Sequence, residues 1–283
     1  MPLDQPTDVT HLRATVPASV VSNVRRRWPD RADDWTRQVE DELHELCVRY
    51  KATPRRVLPA RYGFVVAADT ANGGLVVRAS PDPDGPNQAR VAAALADLGI
   101  APTVHEAINT DTGIWTILDE VRPATPLADA PDARATVDSL AAPLAAMVGL
   151  PAPAPGMPTI IEWLRGRLED DHATDLAPGA ERAPARARRA AATMLEQLAA
   201  DTTPQLCHGD VSPWNVLAHG ADGWMLIDPR GMSGDVCYDV AVLSLKTIRR
   251  RQAAPTVARL AEAVGVDPER ALAWTTVIDA ARV

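Results

Sequence analysis

A run of helix-forming sequence is interrupted at residues 206–231 by LCHGDVSPWNVLAHGADGWMLIDPRG, a segment that cannot continue a helix. Two short apolar runs, NVLAH and WMLID, flank an HGADG turn. Runs of this length joined by glycine and aspartate read as an antiparallel hairpin. The hairpin constrains three polar residues. Asp210 precedes it, Asn215 opens it five residues later, and Asp228 closes it thirteen residues after that. An antiparallel pair brings its end back to its beginning. The chain must therefore return Asp228 towards the loop that bears Asp210 and Asn215.

Around this hairpin the periodicity predicts helices over 133–149, 158–170, 184–200, 239–253, 256–264 and 268–281, with the rigid spacer LPAPAPGMP between the first two. The earlier part of the chain differs. Residues 1–30 read as a loosely packed lead-in. Trp35, Val39, Leu43, Leu46, Cys47 and Tyr50 recur at helical spacing over 33–50, with Asp33 or Asp34 as N-cap. YGFVVAAD and LVVRAS read as strands joined around Asn72-Gly73, a strong hairpin signal. Residues 86–98 predict a helix opened by Pro86, 114–121 a further strand, and 122–132 a proline-rich connection. The pattern is an α+β chain of two lobes: a small β-rich lobe over 1–121 and a larger helical lobe over 122–283.

Composition narrows the function. The formal net charge is −8 and no basic stripe accompanies it, which argues against a nucleic-acid partner and suits a cationic small substrate. Cys47, Cys207 and Cys237 are far apart and form no CxxC pair, so neither a disulfide framework nor a zinc site is expected. Cys207 beside His208 reads as a buried strand cysteine, since chain neighbours rarely make a working nucleophile and base. The opening MPLDQPTDVTHL carries no basic, then apolar, leader, and no run is long enough to span a bilayer. A cytoplasmic protein without membrane contact is expected, as a monomer or weak dimer.

Phosphoryl transfer accounts for each of the three polar residue types. A phosphate donor concentrates negative charge and calls for Mg²⁺, which takes oxygen ligands and only one or two carboxylates from a protein. Asn215 offers an amide oxygen and Asp228 a carboxylate. Asp210 is left to accept the proton of an attacking hydroxyl. HGDVSPWNVL followed by IDP resembles the catalytic and metal-binding loops of the aminoglycoside phosphotransferases, which share the protein-kinase fold. IDPRGMSGDVCYDVA resembles the branch of that superfamily containing the streptomycin 6-phosphotransferases and hydroxyurea phosphotransferases. The resemblance is specific over about 205–242 and looser elsewhere. It implies a bilobal kinase-like fold, with ATP or GTP as co-substrate and Mg²⁺ as cofactor. The implied acceptor is an aminoglycoside-type antibiotic such as streptomycin, or alternatively hydroxyurea or another small molecule. It further implies Asp210 as base, Asn215 and Asp228 as metal ligands, His208 as a support of the catalytic loop, and Asp239 as a residue that starts the next helix and braces that loop.

The nucleotide side departs from the kinase pattern. A kinase clamps phosphates with a strand lysine oriented by a helix glutamate. Here LVVRAS offers Arg78, and PNQARVAAALADL has no glutamate, only Gln88 or Arg90 near its place. The two lysines, Lys51 and Lys246, lie in no matching context. Arg78 is thus the candidate clamp, the alternative being a surface arginine or a lobe that binds nucleotide without catalysis. RYGFVV carries the single glycine Gly63 where kinases have several. Leu118, Asp119, Glu120 and Val121 would face the adenine, reading it through backbone groups. Trp214, between the candidate base and metal ligand, is the tryptophan most suited to meet a substrate. Glu169, Asp170 and Asp171 are weaker candidates for a cationic acceptor. The basic run 181–190 reads as a solvated helix face.

Overall fold

The computed structural model describes residues 14–132, 137–169, 176, 180–247 and 253–283. Two compact units are formed, one from the chain up to Pro83 with His105–Glu120, the other from Asp84–Val104 with Val121–Val283.

In the first unit, helices α1 (Ala18–Arg27) and α2 (Pro29–Tyr50) meet at Trp28. Part of the expected lead-in is therefore helical. Asp33 and Asp34 lie inside α2 rather than at its cap, because Pro29, with its fixed φ and no N–H to lose, opens the helix earlier. The buried stripe Ala32, Trp35, Val39, Leu43 and Leu46 faces a five-stranded antiparallel sheet. Its strands are β1 (Thr53–Leu58), β2 (Phe64–Thr70), β3 (Gly73–Ser80), β4 (Val104–Asn109) and β5 (Ile114–Asp119), ordered β1-β2-β3-β5-β4. The hairpin at Asn72-Gly73 is present, closed by the pair Thr70–Gly73. Phe64, Val66, Leu75, Val77, Ala79, Trp115 and Ile117 pack with the α1–α2 stripe. Strand alternation then sends Val76 and Arg78 to the opposite face. The edge strands β1 and β4 were not foreseen. TPRRVL and VHEAIN keep much of their length exposed, so they lack the apolar density that marks a central strand.

The second unit begins with α3 (Gly85–Asp97), whose Val91 and Leu95 enter that unit's core. The proline-rich connection contains the short strand β6 (Pro123–Pro126), an edge position where a missing N–H is tolerated. It pairs with β8 (Val216–His219), which pairs in turn with β9 (Gly223–Leu226) in the register Val216–Leu226 to His219–Gly223. The hairpin expected around HGADG is this β8–β9 pair. A two-stranded sheet joins β7 (Gln205–Leu206) to β10 (Ser233–Gly234).

Among the described residues the further helices of this unit are α4 (Ala141–Ala145), α5 (Ile160–Glu169), α6 (Ala185–Ala200), α7 (Val236–Thr247), α8 (Ala253–Val264) and α9 (Pro268–Ala281). The helix expected over 133–149 is much shorter: 137–140 is a 3₁₀ turn, and its first four residues lie outside the described ones. Every residue from Val236 to Ser244 is buried, so α7 is the central helix of the unit, buried on every side over this stretch rather than along one stripe. Among the described residues no helix is long and apolar enough to cross a membrane.

Candidate active site

His208, Gly209 and Asp210 follow β7 and lie against α7. Gly209 has φ +81, and a Cβ there would stand 2.9 Å from Arg230 Cβ and 3.2 Å from Ile160 Cδ1. Only glycine fits the turn and the packing at this position. The imidazole of His208 is fully buried. Its Nε2 donates to the Ile227 carbonyl at 2.9 Å, so Nδ1 is the acceptor and takes the Asp210 backbone N–H at 3.3 Å. Burial also pushes this imidazole below 6.5, which keeps the neutral tautomer that both bonds require. One ring thus joins the Asp210 turn to the end of β9.

Asp239 is buried in the first turn of α7, where its two carboxylate oxygens accept the backbone N–H groups of His208 and Gly209, both at 2.8 Å. Both bonds tie the backbone of the loop to α7. Asp239 does not cap the helix. That position belongs to Asp235, whose Oδ1 accepts the Cys237 N–H at 2.8 Å, whose Oδ2 receives Trp274 Nε1 at 3.1 Å, and which Arg270 Nε approaches to 2.5 Å. Burial pushes the Asp239 carboxyl up to about 7, against the pull of its two N–H donors.

Asn215 Nδ2 donates to the Asp210 carbonyl at 2.9 Å, and the Asn215 carbonyl accepts the Ile227 N–H at 2.9 Å. Asn215 and Asp228 therefore flank the open end of the β8–β9 hairpin, as the spacing predicts. Asp228 sits at φ 57, a left-handed conformation that aspartate tolerates, and the strand run stops there. With its amide nitrogen bonded to the Asp210 carbonyl, Asn215 has its amide oxygen left for a cation. That oxygen and the Asp228 carboxylate are hard donors of the kind Mg²⁺ takes. No cluster of three or more His, Cys, Asp or Glu that could hold a metal occurs among the described residues.

Two cations converge on Asp210. Lys246 Nζ, from the last turn of α7, lies 2.9 Å from Oδ1, and Arg230 Nη2 lies 3.6 Å from Oδ2. Burial pushes the Asp210 carboxyl up, but Arg230 and Lys246 outweigh it and hold the carboxyl below 3.8. The group is ionised at neutral pH. Arg230 is itself placed over the Trp163 ring at 4.1 Å and donates Nε to the Gly209 carbonyl at 3.3 Å. A cavity of about 440 Å³ adjoins the loop, lined by Ala128, Ser212, Pro213, Trp214, Lys246 and Thr247, with Trp214 63 % exposed. Its size suits a small molecule.

Five of the residues expected from sequence, His208, Asp210, Asn215, Asp228 and Asp239, are brought together in the second unit. Arg78 and Asp119 belong to the first unit and Val121 to the second. Arg78 is half-buried on β3, opposite Thr116 of β5. Asp119 takes His105 Nε2 at 2.7 Å, and Glu120 pairs with Arg55. Cys207 is fully buried, and desolvation holds its thiol far above the ordinary range, which leaves it inert. Asp170 and Asp171 lie outside the described residues. Lys246, Arg230 and Asp235 were missed. A signal for Lys246 was present, since it lies seven residues beyond Asp239 and so falls on the same helix face.

Comparison with known proteins bears on the family and the fold. Residues 54–274 match the model of the phosphotransferase enzyme family. The hydroxyurea phosphotransferase of Kitasatospora aureofaciens is 34% identical over 146 residues, 51% of this chain and 42% of that protein. The streptomycin 6-kinase of Streptomyces glaucescens is 28% identical over 167 residues, 56% of this chain and 54% of that protein. The chain spans about half the length of these curated relatives. An aminoglycoside phosphotransferase from Streptomyces rimosus, solved with ADP and streptomycin, superposes with a TM-score of 0.61 at 18% identity, over 87% of this chain and 99% of that one, and shows the same kinase-like α+β fold. A family match across most of the chain, a shared fold, and a turn of His208, Gly209 and Asp210 held by α7 beside Asn215 lead to one conclusion: this chain belongs to the phosphotransferase enzyme family.

Proposed function

We propose that the protein transfers the γ-phosphoryl group of ATP or GTP to a hydroxyl of a small molecule, with Asp210 as the base. The observation that carries this reading is the ionised Asp210, fixed on a turn that Asp239 and His208 brace beside Asn215 and Asp228. The acceptor oxygen forms a bond to the γ-phosphorus, and the bond from that phosphorus to the nucleoside diphosphate breaks. The hydroxyl proton passes to the Asp210 carboxylate. Asn215 and Asp228 would hold Mg²⁺, which supplies charge neutralisation at the donor phosphates. Arg78 is proposed as the phosphate clamp, a planar group able to grip two oxygens at once.

The names of the relatives support an aminoglycoside-type acceptor such as streptomycin, and with it a role in antibiotic resistance. An uncharged acceptor such as hydroxyurea is favoured by a different observation. Lys246 and Arg230 place two positive charges on Asp210, which disfavours a cation next to the reacting hydroxyl. Nucleotide consumption with a panel of hydroxylated acceptors, streptomycin and hydroxyurea among them, tests the function. Asp210→Asn should lower turnover by about 10²-fold or more while leaving nucleotide affinity nearly unchanged. Normal turnover in the folded variant removes Asp210 as the base.

A further inference from the structure

Helix α7 touches the catalytic turn twice. Asp239 lies in its first turn and Lys246 in its last, seven residues apart, a separation that returns to the same face after about two turns. Asp239 holds the backbone of His208 and Gly209, and Lys246 holds the side chain of the next residue, with Nζ at 2.9 Å from Asp210 Oδ1. One helix face thus fixes three consecutive residues.

The two oxygens of Asp210 are not equivalent. Oδ1 receives a charge-assisted hydrogen bond from Lys246. Arg230 Nη2 stands 3.6 Å from Oδ2, beyond hydrogen-bond reach, so it contributes charge without occupying that oxygen. The terminal torsion of an aspartate is broad and roughly two-fold, and nothing intrinsic keeps one oxygen in place. Lys246 also lines the cavity beside the loop, with Ser212, Pro213 and Trp214.

We propose that Lys246 is a positioning residue that pins Oδ1 of Asp210 and thereby presents Oδ2 as the oxygen that receives the acceptor's proton. The inference rests on the reading of Asp210 as the base. Without Lys246 the carboxylate turns about its terminal bond, and the proton-accepting oxygen is no longer held at one point. Misplacement of a reacting group by about 1 Å costs on the order of 10²-fold in rate. The effect belongs to the chemical step, not to nucleotide binding.

The test uses the full chain with Lys246→Met and Lys246→Arg, each checked for folding by thermal denaturation. Lys246→Met should lower kcat by about 10- to 100-fold and leave the nucleotide KM within about two-fold. Lys246→Arg, which restores a donor to Oδ1, should recover most of the loss. Unchanged kcat in Lys246→Met, or equal losses in both variants, overturns the proposal. A crystal structure of Lys246→Met supplies a readout that needs no turnover. A rotated or multiply oriented Asp210 carboxylate supports the positioning role, and a carboxylate in the wild-type orientation refutes it. If the wild-type protein phosphorylates nothing, the kinase reading fails, while the crystal structure still judges whether Lys246 orients Asp210.

Discussion

The Asp239 carboxylate is the strongest place to test how the His208–Asp210 turn is held. Its two oxygens are the acceptors of two buried backbone N–H groups, each at 2.8 Å. A buried donor left without an acceptor costs about 1–3 kcal/mol, so Asp239→Ala exposes the fold to roughly 2–6 kcal/mol, and removal of a buried carboxyl returns part of that. A net loss of about 3 kcal/mol follows, and for a chain of this size it lowers Tm by about 6–12 °C. Asp239→Asn keeps one acceptor oxygen and sets an amide against the other N–H, so it should cost about half as much. Thermal and urea denaturation at pH 6 give both values. Equal losses in the two variants, or losses below about 0.5 kcal/mol, refute the two-acceptor account.

The same group gives a pH signature. Burial raises the folded-state Asp239 carboxyl from 3.8 to about 7, so between those values the folded protein keeps a proton that the unfolded chain has released. The stability contributed by that bound proton is complete below 3.8 and lost as pH rises through about 7. The stability advantage of the wild type over Asp239→Asn should therefore shrink between pH 6 and pH 8.5. A gap that does not change over that interval contradicts the assignment.

Two further expectations concern the donor side. Asp228→Ala should weaken Mg²⁺-dependent nucleotide binding as well as turnover, which calorimetry with and without Mg²⁺ measures; unchanged affinity removes Asp228 as a metal ligand. Arg78→Ala should raise the nucleotide KM and lower kcat together, and Arg78→Lys should rescue only in part, because a point charge does not replace a planar fork. Steady-state kinetics on both variants decides, and a nucleotide KM unchanged in Arg78→Ala removes the clamp.

Features encoded by short spacing were legible from the residues alone. The hairpin, the placement of Asn215 and Asp228 at its ends, and the face of β3 that carries Arg78 all follow from turn chemistry and strand alternation. Features that depend on tertiary packing were not. Lys246 meets Asp210 across 36 residues of chain, and its spacing from Asp239 gives the helix face it shares but not the residue it meets. Asp235 and Asp239 are both ordinary caps by composition. Only the fully buried course of α7 decides that the first caps the helix and the second turns inward to the loop. The helix α3 followed its periodicity, but membership of the second core is set by Val91 and Leu95 meeting residues far along the chain.

The two grips of α7 on the His208–Asp210 turn have a mechanical consequence. A helix is stiff along its axis, and Asp239 and Lys246 are fixed to one rigid rod at a constant separation. Any displacement of α7 carries the backbone of His208 and Gly209 and the side chain of Asp210 as one body. The internal geometry of the turn is then insulated from movements of the surrounding unit, much as a tool clamped at two points keeps its angle when the arm that holds it is moved.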